Sequence, residues 1–150
     1  MKLLHAFWLL LLANSPVVLA EFINAGVDTV EPTGAVQLTG SEIVHAFSNV
    51  RDDAEVQDTA ATRAVNYWHA DGRFFNRWHN GEASGEVSGT WRVENNLRCI
   101  TILTGLSERL GQESCRPVFR RGTQYLSFNG DGSIHGIHTL SPLSAEHTHP

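Results

Sequence analysis

The chain has 150 residues, of which 41% are hydrophobic, and its formal net charge is -5. This length is enough for one domain with a single core. The acidic balance argues against nucleic acid or an anionic membrane as the main partner, because both require a concentrated positive surface.

The first 20 residues have the features of a signal peptide. Lys2 supplies a positive start, the stretch from Leu3 to Leu12 is almost wholly apolar, and Ala20 ends a small-residue cleavage pattern. The apolar stretch falls short of the about 20 residues that a membrane span needs. We therefore expect cleavage before Glu21, no membrane span afterwards, and a secreted or periplasmic protein. The mature chain then contains no lysine, which excludes lysine Schiff-base chemistry.

The two cysteines, Cys99 and Cys115, both lie in the mature part of the chain. An exported protein meets an oxidising compartment, where such a pair usually closes. A redox-active pair normally has its thiols only two residues apart. We therefore predict a structural disulfide between these two cysteines.

A short helix is predicted near the beginning of the domain, after a lead-in segment of residues 21–38. Thr39 to Glu42 have the form of a capping box, and Leu38 can pack on Ile43 as a hydrophobic staple. Ile43, Val44 and Phe47 fall on one side of the helix, which we expect to plug or flank a sheet.

From Ala54 to Leu140 the pattern becomes one of short strands separated by turn residues, which is typical of an antiparallel meander. We predict a mainly all-β domain over residues 39–140, forming a closed barrel or a strongly curved sheet, followed by a flexible tail over 141–150. The predicted strands are Ala54-Gln57, Arg63-His69, Phe74-His79, Glu86-Glu94, Leu97-Leu103, Arg116-Arg121, Gln124-Phe128 and Ser133-Thr139.

The hairpin around Asp71-Gly72 carries bulky aromatic groups on both faces. A two-residue turn there pairs Trp68 with Phe75 and gathers Tyr67, Phe74 and Trp78 on the other face, whereas a three-residue turn changes the register. One set is expected to fill the core. The other is left to cover the helix, meet a partner or line a ligand site.

The order of motifs resembles a group of small secreted proteobacterial proteins classed as a domain of unknown function. The matching features are Gly89-Thr90-Trp91 on a strand, the hairpin beginning Leu97-x-Cys99, then Cys115 and Tyr125. A looser resemblance is to the lipocalins, which also carry a Gly-x-Trp strand. The resemblance to the proteobacterial group implies an envelope location and a sheet or barrel fold, and it implies no activity.

The leading functional prediction is a barrel-like binding protein whose ligand is a small apolar or aromatic molecule. This prediction rests on analogy, because closed β domains often bind ligands in their mouths. The candidate ligand-binding residues are Tyr67, Trp68, Trp78, Trp91 and Tyr125. The competing prediction is a protein-interaction module of the envelope, such as a hydrolase inhibitor or an assembly subunit, which would use exposed aromatic and arginine side chains as anchors.

A second candidate site is a positive patch in this acidic protein, formed by Arg98, Arg116, Arg120 and Arg121. Such a patch can hold a carboxylate, phosphate or sulfated sugar through forked hydrogen bonds. The plainer alternative is a solvated strand face with salt bridges to neighbouring glutamates.

Neither a metal site nor a cofactor is expected. On a strand, His135 and His138 point to opposite faces unless a bulge intervenes, and His147-Thr-His149 lies in the predicted tail. Motifs typical of hydrolases and nucleotide-binding enzymes are missing, and Asp52-Asp53 is predicted to lie in a loop without an apolar pocket. We therefore predict that the protein is not an enzyme.

Overall fold

The computed structural model describes residues 34–144. The predicted signal peptide, most of the predicted lead-in and His147-Thr-His149 lie outside the described residues. The elements, in chain order, are β1 (Val36–Gln37), α1 (Gly40–Phe47), β2 (Val50–Val56), β3 (Arg63–Trp68), β4 (Arg73–His79), β5 (Ser84–Glu94), β6 (Leu97–Thr104), a 3-10 turn (Ser107–Arg109), β7 (Glu113–Arg116), β8 (Val118–Arg121), β9 (Gln124–Phe128) and β10 (Ile134–Pro142).

The ten strands form one antiparallel sheet in the order β1-β8-β9-β10-β2-β3-β4-β5-β6-β7. Only Pro117 separates β7 from β8, although β7 ends the sheet on one side and β8 lies next to the other edge. The sheet must therefore curl on itself. Arg116 fastens the curl, because its Nη1 donates a hydrogen bond to the carbonyl oxygen of Phe128 at 3.1 Å. The prediction of a strongly curved, mainly antiparallel β domain with one short helix is confirmed, in the form of a half-barrel.

The number of strands and several strand bounds differ from the sequence prediction; for example, β2 begins at Val50 rather than at Ala54, and β10 ends at Pro142 rather than at Thr139. The single strand expected over Arg116-Arg121 is two strands, because Pro117 has no N–H to donate and interrupts the ladder. Val36–Gln37, inside the predicted lead-in, is a short strand that pairs with β8. The lead-in thus contributes the first edge of the sheet.

Helix α1 begins with the predicted capping box. Thr39 N donates to Glu42 Oε2 at 2.8 Å, and Glu42 N donates to Thr39 Oγ1 at 3.4 Å. Ile43 and Phe47 are fully buried against the sheet, whereas Val44 is 47% exposed, so the expectation that Val44 shares their face was wrong. Helix α1 covers one side of the core inside the curl.

The turn between β3 and β4 has three residues, which is the alternative to the two-residue turn considered above. His69 N donates to Arg73 O at 3.0 Å across the loop 70–72, where Gly72 has φ +87°. This turn pairs Trp68 with Phe74 rather than with Phe75. The register expected for a two-residue turn was therefore wrong, and the reason is one additional loop residue.

The corrected register sorts the aromatic side chains differently. Trp68, Phe74 and Trp78 now share the inner face of the curl, where Trp68 stacks on Phe74 with ring centroids 5.2 Å apart. Tyr67 and Phe75 lie on the other face, with ring centroids 6.3 Å apart. The large inner set is what lines the cavity described below.

The Gly-Thr-Trp strand and the disulfide hold the neighbouring hairpin together. Gly89 and Trp91 face inward on β5 as predicted, and a Cβ at Gly89 would collide with the carbonyl oxygen of Thr101. Cys99 and Cys115 are direct register partners on β6 and β7 and form the predicted disulfide. The bridge ties the last strand of the sheet to its neighbour.

Candidate functional site

The inner face of the curled sheet lines a partly open cavity of about 240 Å³. Its walls come from β2 to β7, β9, β10 and the turn after β6, so residues far apart in sequence meet there. One part of the lining is apolar. That part comprises Trp68, Phe74, Trp78, Val87, Ile100 and Ile102.

A row of polar side chains crosses the inner face from β9 to β4. Ser127 Oγ lies 3.0 Å from His138 Nε2, and His138 Nδ1 lies 3.0 Å from both carboxylate oxygens of Asp52. Asn66 Nδ2 donates to Asp52 Oδ2 at 3.0 Å, and Asn76 Nδ2 donates to Asn66 Oδ1 at 2.6 Å. Each residue lies on the strand next to that of its partner. We call these five residues the polar ladder.

Asp52 is the charged centre of the polar ladder and is completely buried. Besides His138 and Asn66, it accepts a hydrogen bond from Trp68 Nε1 at 3.0 Å. Burial alone would raise its pKa, but the charge and hydrogen bond of His138, the charge of Arg98 and the Trp68 hydrogen bond outweigh burial and hold the pKa below its usual value. The carboxyl group is therefore ionised at neutral pH.

The ionised carboxylate determines how His138 carries its proton. A carboxylate only accepts hydrogen bonds, so the proton on His138 lies on Nδ1. In the neutral ring, Nε2 is then free to accept the hydroxyl proton of Ser127. Gly136 leaves room for this contact, because a Cβ there would lie 3.1 Å from His138 Nε2 and 3.2 Å from Ser127 Oγ.

Arg98 lies between the cavity and the helix. Its guanidinium carbon is 4.4 Å from the ring centroid of Phe47 and 4.6 Å from that of Trp68. Its Nη1 is buried without a hydrogen-bond partner in the described part of the chain. Burial, the largest effect, and the neighbouring charge of Arg116 lower the pKa of Arg98, the charge of Asp52 raises it, and the net result is a pKa of about 10. Arg98 therefore remains charged at neutral pH.

The charges that line the cavity are all positive or potentially positive. Arg98 and Arg116 are direct register partners on β6 and β7, and Arg109 and His135 also contribute to the wall. Residues 34–144 contribute no aspartate or glutamate to the cavity lining. In a chain with a net charge of -5, this surface is an exception.

His135 joins His138 at the cavity because the strand is irregular between Ile134 and Gly136. Opposite faces were expected unless a bulge intervened, and the irregularity supplies that exception. Burial, followed by the charges of Arg116 and His138, lowers the pKa of His135. We therefore expect His135 to be neutral at pH 7.

The structure distributes the predicted ligand-binding residues over four places. Trp68 and Trp78 line the cavity. Trp91 is buried in the core beside Trp68, and its Nε1 donates to His69 O at 2.9 Å. Tyr67 lies on the opposite face of the sheet, and Tyr125 lies in a separate groove beside α1.

The predicted positive patch also divides. Arg98 and Arg116 lie side by side in the cavity wall. Arg120 is exposed and lines the groove beside α1 with Glu42, while Arg121 is half-buried at the end of β8. Two of the four arginines therefore share a site.

Sequence analysis missed the polar ladder. Asp52-Asp53 was placed in a loop, but both residues lie in β2, with Asp52 buried and Asp53 exposed. A signal was present, because Val50, Asp52, Ala54 and Val56 occupy alternate positions. A polar residue within the inward-facing set of a strand is a candidate for a site.

Among the described residues, the one cluster with metal-ligand spacing is Cys99, Glu113 and Cys115, and its two sulfur atoms are bonded to each other. No helix in the stretch 34–144 has the length and apolar character needed to cross a bilayer. The chain matches no family model, no curated protein and no solved structure.

Proposed function

We propose that this protein binds a small molecule that combines an apolar or aromatic body with an anionic group. The observation that carries the proposal is the charge of the cavity wall in an acidic chain: the described residues contribute Arg98, Arg109 and Arg116 to this wall and no carboxylate. Arg98 contributes most to this positive charge. Its buried Nη1 has no acceptor among residues 34–144, and an unpaired buried charged donor is costly unless a ligand or water satisfies it.

The apolar part of the cavity supports an aromatic or aliphatic ligand body. Trp78, Ile100 and Ile102 offer such a surface, and the asparagines of the polar ladder add hydrogen-bonding groups. A volume of about 240 Å³ lies below the about 300–1,000 Å³ usual for ligand sites. A ligand of one or two rings fits this size.

The alternative function, an envelope interaction module, receives less support. It requires a filled core and surplus aromatic side chains outside. Trp68 and Trp91 are buried, Trp78 faces the cavity, and the described residues leave part of the inner face unfilled.

We infer that the protein works outside the cytoplasm, in the periplasm or as a secreted protein. The Cys99–Cys115 disulfide supports this inference, because such bonds persist in oxidising compartments. The signal-peptide pattern at the beginning of the sequence points the same way.

Isothermal titration calorimetry with 2-naphthoate and 2-naphthamide tests the proposal, because the two molecules share a body and differ in charge. One charge-assisted hydrogen bond contributes about 1.5–3 kcal/mol, so the carboxylate is expected to bind roughly 10- to 100-fold more tightly, at one site per chain. Equal affinities, or no binding of either molecule, would contradict the proposal.

Two variants in the cavity and one control variant outside it locate the site. Arg98→Met removes the charge and keeps an apolar side chain, and it should abolish the preference for the carboxylate, whereas Arg120→Met outside the cavity should preserve it. Ala64→Leu extends into the cavity from its wall and should weaken both ligands without changing charge. Thermal unfolding of each variant verifies that it is folded.

A further inference from the structure

Three residues of the polar ladder contact one another in the same sequence as a nucleophile, a general base and an orienting carboxylate do in a catalytic triad. Ser127 Oγ is 3.0 Å from His138 Nε2, and the opposite ring nitrogen of His138 is 3.0 Å from Asp52. Such an arrangement is recognised by its geometry and by the role of each group rather than by sequence motif. It spans three neighbouring strands, β9, β10 and β2, and two of its members, Ser127 and His138, line the cavity.

We propose that Ser127 is the nucleophile, and His138 the general base, of a site that hydrolyses small carboxylic esters. Asp52 acts as the positioning residue, because it contacts His138 and does not itself line the cavity. The proposal departs from the sequence prediction that the protein is not an enzyme. It rests on the proposed function, because the ester must enter the same cavity.

The positions of the protons on the three groups suit this chemistry. Asp52 is ionised and only accepts, so His138 holds its proton on Nδ1. The lone pair on Nε2 then faces the Ser127 hydroxyl. This is the arrangement in which a neutral imidazole removes a proton from a serine as the serine attacks.

The reaction balances with water as the co-reactant. Ser127 Oγ bonds to the ester carbonyl carbon and its proton passes to His138 Nε2. The carbon–oxygen bond to the alcohol then breaks, and His138 returns the proton to the departing alkoxide. Water next attacks the acyl-serine with His138 as base, which releases a carboxylic acid and restores the Ser127 hydroxyl.

The electrostatics of the cavity favour the same reaction. Negative charge develops on the carbonyl oxygen during attack and remains on the carboxylate product. Arg98 and Arg116 place two guanidinium groups in the wall that Ser127 also lines. The reaction would form a carboxylate, which is the kind of anion that we propose the cavity binds.

Covalent labelling with phenylmethylsulfonyl fluoride, read by peptide mass spectrometry, tests the proposal directly. The reagent is small and aromatic, and it sulfonylates activated serines with loss of fluoride. We expect one adduct per chain, on Ser127, and p-nitrophenyl acetate hydrolysis that this adduct blocks. Ser127→Ala should abolish both. Ser88→Ala, a strand serine outside the cavity whose hydroxyl is hydrogen-bonded to Thr104, should change neither.

Nitrogen-15 NMR of His138 tests the role of Asp52. The ring proton should lie on Nδ1 in the wild type and move to Nε2 in Asp52→Asn, because the amide can donate to Nδ1. Labelling of Ser127 should then slow by at least 100-fold, while 2-naphthoate still binds.

The proposal is overturned by a wild-type protein that binds 2-naphthoate but forms no adduct on Ser127, or that forms its adduct on another residue. Such a result leaves the binding function intact. A wild-type protein that does not bind 2-naphthoate would instead contradict the binding function itself. It would also contradict the proposed route by which an ester reaches Ser127.

Discussion

Replacing Asp52 with alanine is expected to lower the free energy of unfolding by about 3–5 kcal/mol, the usual cost of removing one partner from a buried charged pair. The contacts explain this magnitude. Three donors, His138 Nδ1, Trp68 Nε1 and Asn66 Nδ2, would lose their acceptor inside the sheet. A buried donor without a partner costs about 1–3 kcal/mol. Arg98 would also lose a neighbouring negative charge.

Urea unfolding monitored by tryptophan fluorescence measures the change, with the disulfide kept oxidised in every sample. Asp53→Ala is the matched control, since Asp53 is the next residue of the same strand, is exposed, and pairs with Arg51 at 2.7 Å. An exposed pair contributes less than about 1 kcal/mol. A loss below about 1 kcal/mol for Asp52→Ala, similar to that of the control, would refute the view that Asp52 organises the inner face.

Three further predictions concern stability. The pKa of Asp52 in the folded protein lies below its unfolded value of about 3.9, so the contribution of Asp52 to the free energy of unfolding is complete above that pH and is lost as the pH falls toward the folded pKa. The free energy of unfolding, measured as the pH is lowered, should therefore change less in Asp52→Asn than in the wild type. Gly89→Ala should cost more than about 1 kcal/mol in urea unfolding, because its Cβ meets the carbonyl oxygen of Thr101, and an unchanged midpoint would contradict this contact. Replacing Cys99 and Cys115 by alanine should cost roughly 3 kcal/mol, which chemical denaturation of the oxidised and alanine forms would compare.

The fold could be predicted well where local patterns dominate. Alternation identified the strand around Trp91, and turn residues such as Asn95-Asn96, with φ of +49° and +60°, identified the hairpins. The disulfide followed from the number of cysteines and the expected compartment. Each of these signals lies within a short stretch of chain.

Register and long-range pairing could not be predicted in the same way. One additional loop residue after His69 moved Trp68 from Phe75 to Phe74, and an irregularity in β10 brought His135 to the cavity. The largest omission was the contact between Asp52 and His138, which are 86 residues apart. That contact exists because β10 pairs with β2, and no local pattern indicates this order.

The most direct test of ligand binding in the cavity is a crystal structure of the protein with 2-naphthoate. We predict one molecule in the cavity, with its carboxylate about 2.7–3.2 Å from a guanidinium nitrogen of Arg98 and its rings against Trp78 and Ile100. A molecule bound outside the curled sheet, or a cavity filled by its own side chains with Arg98 paired to a protein acceptor, would contradict this prediction.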